Sequence, residues 1–203
     1  LRRAVQARAA GVVCKTIGPP ATWAAHPRNG RFAFVTVDGA RVGMINLELF
    51  TTKSKKDWIQ KDLEIAKSAG GVVIASILAL PEPEGTAELA TEVERTGCVD
   101  MLELNVSCPM PASTVGMHIG NNPEKTRAQV AAVRLITNLP LLVKMTPNVS
   151  DIGAVARACE EAGADGLCIA NSVRAFPGVD VETGKPVLAA LGGYTGPAVK
   201  PIT

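Results

Sequence analysis

The run VVIASIL (72–78) decides the fold, and LPLLVKM (139–145) and DGLCIA (165–170) repeat its character. A strand with one face in water alternates apolar and polar residues. Nearly unbroken apolar runs of this length mark strands covered on both faces. Further strands are read at 11–15 and 100–106. Helical patterns fill the intervals: 54–69, with Ser54 as N-cap, then 84–96, 123–137 and 151–162. Strands alternating with helices imply βαβ units and a parallel sheet, so the fold class is α/β. The pattern alone leaves a closed barrel and an open sheet both standing.

Outside this rhythm, 1–10 reads as a helix already in progress, with no initiator methionine and no signal-peptide pattern. The chain therefore reads as a fragment. A Pro/Gly-rich loop (17–31) leads to two strand-like runs, 32–37 and 42–49, flanking the hairpin signal Asp38-Gly39. After DGLCIA a long loop is expected as far as Gly196, where another helix begins.

The 203 residues suit one domain, and 47% hydrophobic with 20% charged residues suits an ordinary globular protein. A net charge of +2 gives no reason to expect nucleic acid as a partner. No apolar run approaches the roughly 20 residues of a membrane helix. The five cysteines (Cys14, Cys98, Cys108, Cys159, Cys168) are scattered and form no C-x-x-C pair, so neither a disulfide framework nor a metal site is expected. A reducing, cytoplasmic setting follows as the expectation.

In parallel α/β sheets the chemistry gathers beyond the carboxyl ends of the strands. Polar residues recur there: Lys15, Thr16, Ser76, the stretch 105–108, the stretch 144–148, and Asn171 with Ser172. Cys108, just past a strand, can exchange a proton, or it can be a buried structural thiol. Nothing near it resembles a Cys–His pair, so proton transfer suits it better than covalent catalysis. Lys15 and Lys144 each end an apolar strand. Each can be aimed at a phosphate, a flavin edge or a carbonyl, or its head can reach solvent. Asn46, Asn105 and Asn171 both donate and accept, as the alternating edge of a pyrimidine requires; capping is the alternative for any one of them. The glycines of GGYTG (192–196) offer a weak signal for backbone amides approaching an anion. His118, Met110 and Met117 read as loop residues.

In chain order, GVVCKTIG, NLELFTTKS, ELNVSCP, VKMTPNVSDI, GADGLCIANS and GGYTGPAVKPI resemble the dihydropyrimidine dehydrogenase and dihydroorotate dehydrogenase superfamily, over nearly the whole chain. The resemblance implies an FMN-binding (β/α)8 TIM barrel in one domain, 1–203, incomplete at both ends and covering strands two to six. It makes Cys108 the general acid/base. It assigns Asn46, Asn105, Ser107, Asn171 and Ser172 to the substrate ring, and Lys15, Thr16, Lys144 and Gly196 to FMN. Phosphate-binding loops would lie outside the chain, so the 203 residues alone are expected to bind FMN weakly.

NLELFTTKS is closer to the dihydropyrimidine dehydrogenase branch, and the orotate carboxylate site reads as incomplete at Met110 and at 47–49. The expected activity is therefore oxidoreduction of the C5–C6 bond of a pyrimidine, with dihydroorotate oxidation as the alternative and a catalytically silent barrel subunit as a second. The resemblance further implies an electron-transfer subunit with FAD and iron–sulfur clusters, and a homo-oligomer.

Overall fold

The structure, a computed structural model, describes residues 2–18, 31–47, 53–108 and 116–202. In chain order its strands are β1 (Gly11–Val13), β2 (Phe32–Val37), β3 (Ala40–Asn46), β4 (Val72–Leu78), β5 (Met101–Asn105), β6 (Leu141–Lys144), β7 (Gly166–Cys168), β8 (Val173–Ala175) and β9 (Gly192–Thr195). The helices are α1 (Arg2–Gln6), α2 (Lys55–Asp57), α3 (Leu63–Lys67), α4 (Pro83–Glu94), α5 (Met117–Gly120), α6 (Pro123–Arg134) and α7 (Ile152–Glu161).

Five strands form a parallel sheet in the order β1-β4-β5-β6-β7. It is an arc of a (β/α)8 barrel, and its strands are those the apolar runs mark out. One face carries Val73, Ala75, Ile77, Leu102, Leu104, Leu141 and Val143 into the core shared with the helices. Each covering helix meets it with side chains three and four apart: Thr86, Leu89, Ala90 and Val93 of α4, and Thr126, Gln129, Val130 and Val133 of α6. Two polar members of this layer are satisfied together. Thr86 Oγ1 donates to Gln129 Oε1 at 2.6 Å, Gln129 Nε2 donates to the Leu80 carbonyl at 2.7 Å, and Leu80 N donates back to Thr86 Oγ1 at 2.9 Å. The exit of β4 is thereby tied to both helices.

Three expectations are corrected. The interval 54–69 is not one α-helix: Ser54 does cap it in a capping box with Asp57, but a π-helical stretch, Trp58–Asp62, separates α2 from α3. The long loop expected after DGLCIA holds β8 and β9, which join β3 and β2 in a second, antiparallel sheet ordered β2-β3-β9-β8. GGYTG is not a turn: residues 192–195 form the strand β9. Gly192 lies so close to β3 that an added Cβ would meet the Asn46 carbonyl and Ile45 Cγ2, each at 2.6 Å. The hairpin itself is as expected: Asp38 and Gly39 both have positive φ (48° and 78°), the requirement of a type I′ turn. Beyond Gly196 the chain turns into a 3-10 helix, Pro197–Ile202.

Two aspartates fasten the amino ends of the parallel strands. Asp100 accepts from Val73 N at 2.9 Å and pairs with Lys67; Asp165 accepts from Leu141 N at 2.8 Å and pairs with Arg134. The Lys67 ammonium and then the Val73 amide hold the Asp100 carboxyl below its usual range; the Leu141 amide and then Arg134 do the same for Asp165. A carboxyl with a lowered folded pKa adds stability that is fully present above its unfolded value, about 4. That stability is lost as pH falls through the folded value. Replacing Asp165 by Ala leaves the Leu141 amide without its acceptor and is expected to cost about 1 kcal/mol at pH 7. Urea unfolding should show this gap narrowing below pH 4; a gap that widens in acid would contradict the assignment.

Candidate active site

The inner face of the parallel sheet is built from the residues that alternate with the core. Strand pairing puts Ser76 opposite Glu103 and Glu103 opposite Leu142 in one row. One step nearer the carboxyl ends, Leu78, Asn105, Lys144 and Cys168 form the next row. The polar residues that recur at strand ends therefore meet on one surface.

A continuous hydrogen-bonded path runs across that surface. Ser76 Oγ and Thr16 Oγ1 share a bond of 3.0 Å, and Asn105 Nδ2 donates to Thr16 Oγ1 at 2.9 Å. Asn105 Oδ1 accepts from both the amide (3.0 Å) and the hydroxyl (2.9 Å) of Ser107. Asn171 Nδ2 donates to Ser107 Oγ at 3.0 Å, and Asn171 Oδ1 accepts from Ser172 N at 2.8 Å. Asn148 Nδ2 then donates to the Ser172 carbonyl at 3.2 Å and to Thr146 Oγ1 at 2.9 Å. The ends of all five parallel strands are thus laced together. Thr16, Ser76, Asn105, Ser107, Thr146 and Ser172 are all buried. Buried amides and hydroxyls stay in place when so paired, and fixed dipoles are what a polar ring needs.

The second sheet is fastened to the same rim. Asn148 Oδ1 accepts from Arg174 N at 2.8 Å, at the start of β8. Asn46, the last residue of β3, donates from Nδ2 to the Gly193 carbonyl at 3.0 Å. An added Cβ on Gly193 would collide with Ser172 Oγ and lie 3.7 Å from Asn46 Nδ2, so this glycine lets Asn46 approach the Asn171–Ser172 pair.

Cys108 is buried next to Ser107, and its carbonyl accepts from Met117 N at 3.0 Å. Gly116, with φ 62°, packs against that carbonyl where a side chain would collide. Burial pushes the thiols of Cys14 and Cys159 up to about 11, and raises that of Cys168. Lys144 is half-buried in the Asn105 row, whereas Lys15, two residues past β1, is exposed. Gly196 lies apart from the path, beside the Val42 carbonyl on the second sheet. His118 is exposed on α5. Met110, Glu48 and Leu49 lie outside the described residues. Among the described residues, no group of His, Cys, Asp and Glu could hold a metal ion, and no helix is long and apolar enough to cross a membrane.

Residues 40–203 match the family described as dihydroorotate dehydrogenase. The chain belongs to this family. It is 38% identical over 203 residues to the catalytic subunit of dihydroorotate dehydrogenase B (NAD(+)) of Pyrococcus furiosus, covering 100% of this chain and 63% of that protein. The subunit of the same name from Pyrococcus abyssi is 37% identical over 204 residues, with the same coverage. That of Methanothermobacter thermautotrophicus is 43% identical over 131 residues, covering 64% of this chain and 42% of the relative. The chain thus spans about three fifths of the length of the two Pyrococcus relatives.

Three members of the path, Ser76, Thr146 and Asn148, carry no role in the sequence reading. Their signal was only their place at strand ends. Replacing Asn105 by Ala strips partners from Thr16 and Ser107 and is expected to cost about 2 kcal/mol or more in chemical unfolding; an unchanged midpoint would show that the path does not hold the rim. With pKa values about 11, Cys14 and Cys159 carry on the order of one thiolate in a thousand at pH 8. Mass spectrometry should find them unalkylated after brief iodoacetamide treatment of the folded protein, and rapid labelling would refute their assigned burial.

Proposed function

We propose that this chain forms the catalytic face of an FMN-dependent oxidoreductase that interconverts dihydroorotate and orotate at the C5–C6 bond. The observation that carries this reading is the hydrogen-bonded rim of carboxamides and hydroxyls beside Cys108 and Lys144, in a chain of this family. A pyrimidine edge presents alternating N–H and C=O groups. Asn105 spends one Nδ2 hydrogen on Thr16 Oγ1 and has a second to offer such an edge. The same donor set suits FMN, whose own pyrimidine ring offers a similar edge.

In this reading Asn46, Asn105, Asn171, Ser107 and Ser172 hold the substrate ring. Thr16, Lys15 and Lys144 face the cofactor, and Gly196, farther off, is assigned a backbone contact to it. FMN, when bound, supplies the two-electron acceptor for the hydride that leaves C6. Cys108, as thiolate, takes the proton from C5; in reverse its thiol returns it. The Lys144 ammonium offsets negative charge at the nearby ring edge. The Asn105–Ser107 bonds fix the backbone leading to Cys108 and so limit the positions its sulfur can take.

The relatives are named as catalytic subunits using NAD(+), which supports a separate subunit carrying FAD and iron–sulfur clusters as the electron partner. We place the enzyme in the cytoplasm as a homo-oligomer. A second reading, reduction of uracil or thymine, draws on NLELFTTKS and on Met110 following SCP; the relatives' names favour the dihydroorotate reading over it.

In the full-length protein, Cys108→Ala is expected to lower turnover of dihydroorotate by about 100-fold or more while FMN stays bound, as steady-state rates and the flavin spectrum would show. Unchanged turnover in that variant would remove Cys108 from the chemistry.

A further inference from the structure

Glu103 is a charge that the proposed function leaves unused. It lies at the middle of β5, only 3% exposed, and its Oε1 has no hydrogen-bond partner among the described residues. Its neighbours along the strand, Leu102 and Leu104, belong to the core shared with the helices, so Glu103 faces the inner surface together with Asn105. A buried carboxylate with an unsatisfied oxygen is costly unless a cation compensates it.

The register supplies one. Glu103 pairs with Leu142 and Asn105 pairs with Lys144, so Lys144 stands one strand over and two residues nearer the rim. At about 4.8 Å between strands and about 6.6 Å along them, that diagonal spans about 8 Å between Cα atoms, within reach of two long side chains. The ion pairs of the described residues, such as Lys67–Asp100 and Arg134–Asp165, involve neither residue. Glu103 and Lys144 thus form no direct ion pair, and in a poorly screened interior opposite charges still attract at longer range. Both fields reach the same sulfur, that of Cys168, which pairs with Lys144 across β6 and β7: Glu103 raises its pKa and Lys144 lowers it.

We propose that Glu103 is a positioning residue, the buried counter-charge that keeps the Lys144 ammonium at the inner rim and directed at the cofactor ring. The inference rests on the reading that this rim holds FMN. It gives the sheet a relay of charge from its interior to its mouth: Glu103 fixes Lys144, and Lys144 sets the charge that the ring meets.

The test uses the full-length, flavin-loaded protein in four forms: wild type, Glu103→Gln, Lys144→Met and the double variant. The readout is the midpoint potential of the bound flavin. Lys144→Met should lower it, because a cation that favours the reduced, more negative ring is gone. Glu103→Gln should lower it too, by a smaller amount, because the ammonium is no longer held, and it should add nothing in the Lys144→Met background. A rise in potential, or the same shift in both backgrounds, would show Glu103 acting by its own field and overturn the proposal, as would no shift at all.

If Glu103→Gln does not fold, Glu103→Asp serves, since it withdraws the charge by one methylene. It is expected to give a fall that vanishes without Lys144, and an unaltered potential would count against the proposal. A protein that carries no flavin would refute the functional reading instead. The pair would then be judged by urea unfolding of the same four flavin-free proteins, where non-additive losses support it and additive losses overturn it.

Discussion

The carboxamide of Asn105 is the point at which the rim of the sheet is tied. Its amino group reaches across to Thr16 at 2.9 Å, beyond β1, and its oxygen accepts twice from Ser107, two residues past its own strand. Parallel strands end with carbonyls and loops that share no ladder, so something other than backbone pairing must hold those ends in register. Here a buried side-chain network does it. A buried network of this kind is stable only when its members are satisfied together, and this gives the rim a defined geometry rather than a set of mobile polar loops. Cys108, three residues on, inherits that geometry.

The second sheet extends the same constraint. It would be a loosely attached flap if it met the parallel sheet only through apolar contact. Asn148 instead accepts from Arg174 N and donates to the Ser172 carbonyl, while Gly193 lets Asn46 close on Ser172. The small core of Ile45, Leu47 and Leu188 fills its far side. A ring bound at the rim would thus be bordered by carboxamides from both sheets, Asn105 and Asn171 from one and Asn46 from the other.

Much of this was legible in the sequence, for physical reasons. VVIASIL, LPLLVKM and DGLCIA declare buried strands because burial on both faces leaves no place for alternation. Asp38-Gly39 declares its hairpin because few residues accept two successive positive φ angles. The strands at 173–175 and 192–195 are hidden: each is short, one is half glycine, β9 finds its partner β3 about 150 residues earlier, and β8 pairs with β9. The π-helical stretch within 54–69 leaves the apolar spacing almost unaltered, so periodicity cannot reveal it.

Among site residues, the asparagines at strand ends are visible by position and chemistry, whereas Ser76, Thr146 and Asn148 have position alone until the strands are brought side by side. Glu103 carries a signal of its own: a carboxylate inside LELN, a strand with two buried faces, demands a compensating charge.

On the proposed function, this rim serves a flavin that exchanges electrons with the dihydroorotate–orotate couple. The most direct measurement is anaerobic mixing of the oxidised full-length protein with dihydroorotate, and separately with dihydrouracil, while the flavin absorbance is followed. Rapid bleaching by dihydroorotate and none by dihydrouracil is the predicted result. Bleaching by dihydrouracil alone, or by neither, would contradict it.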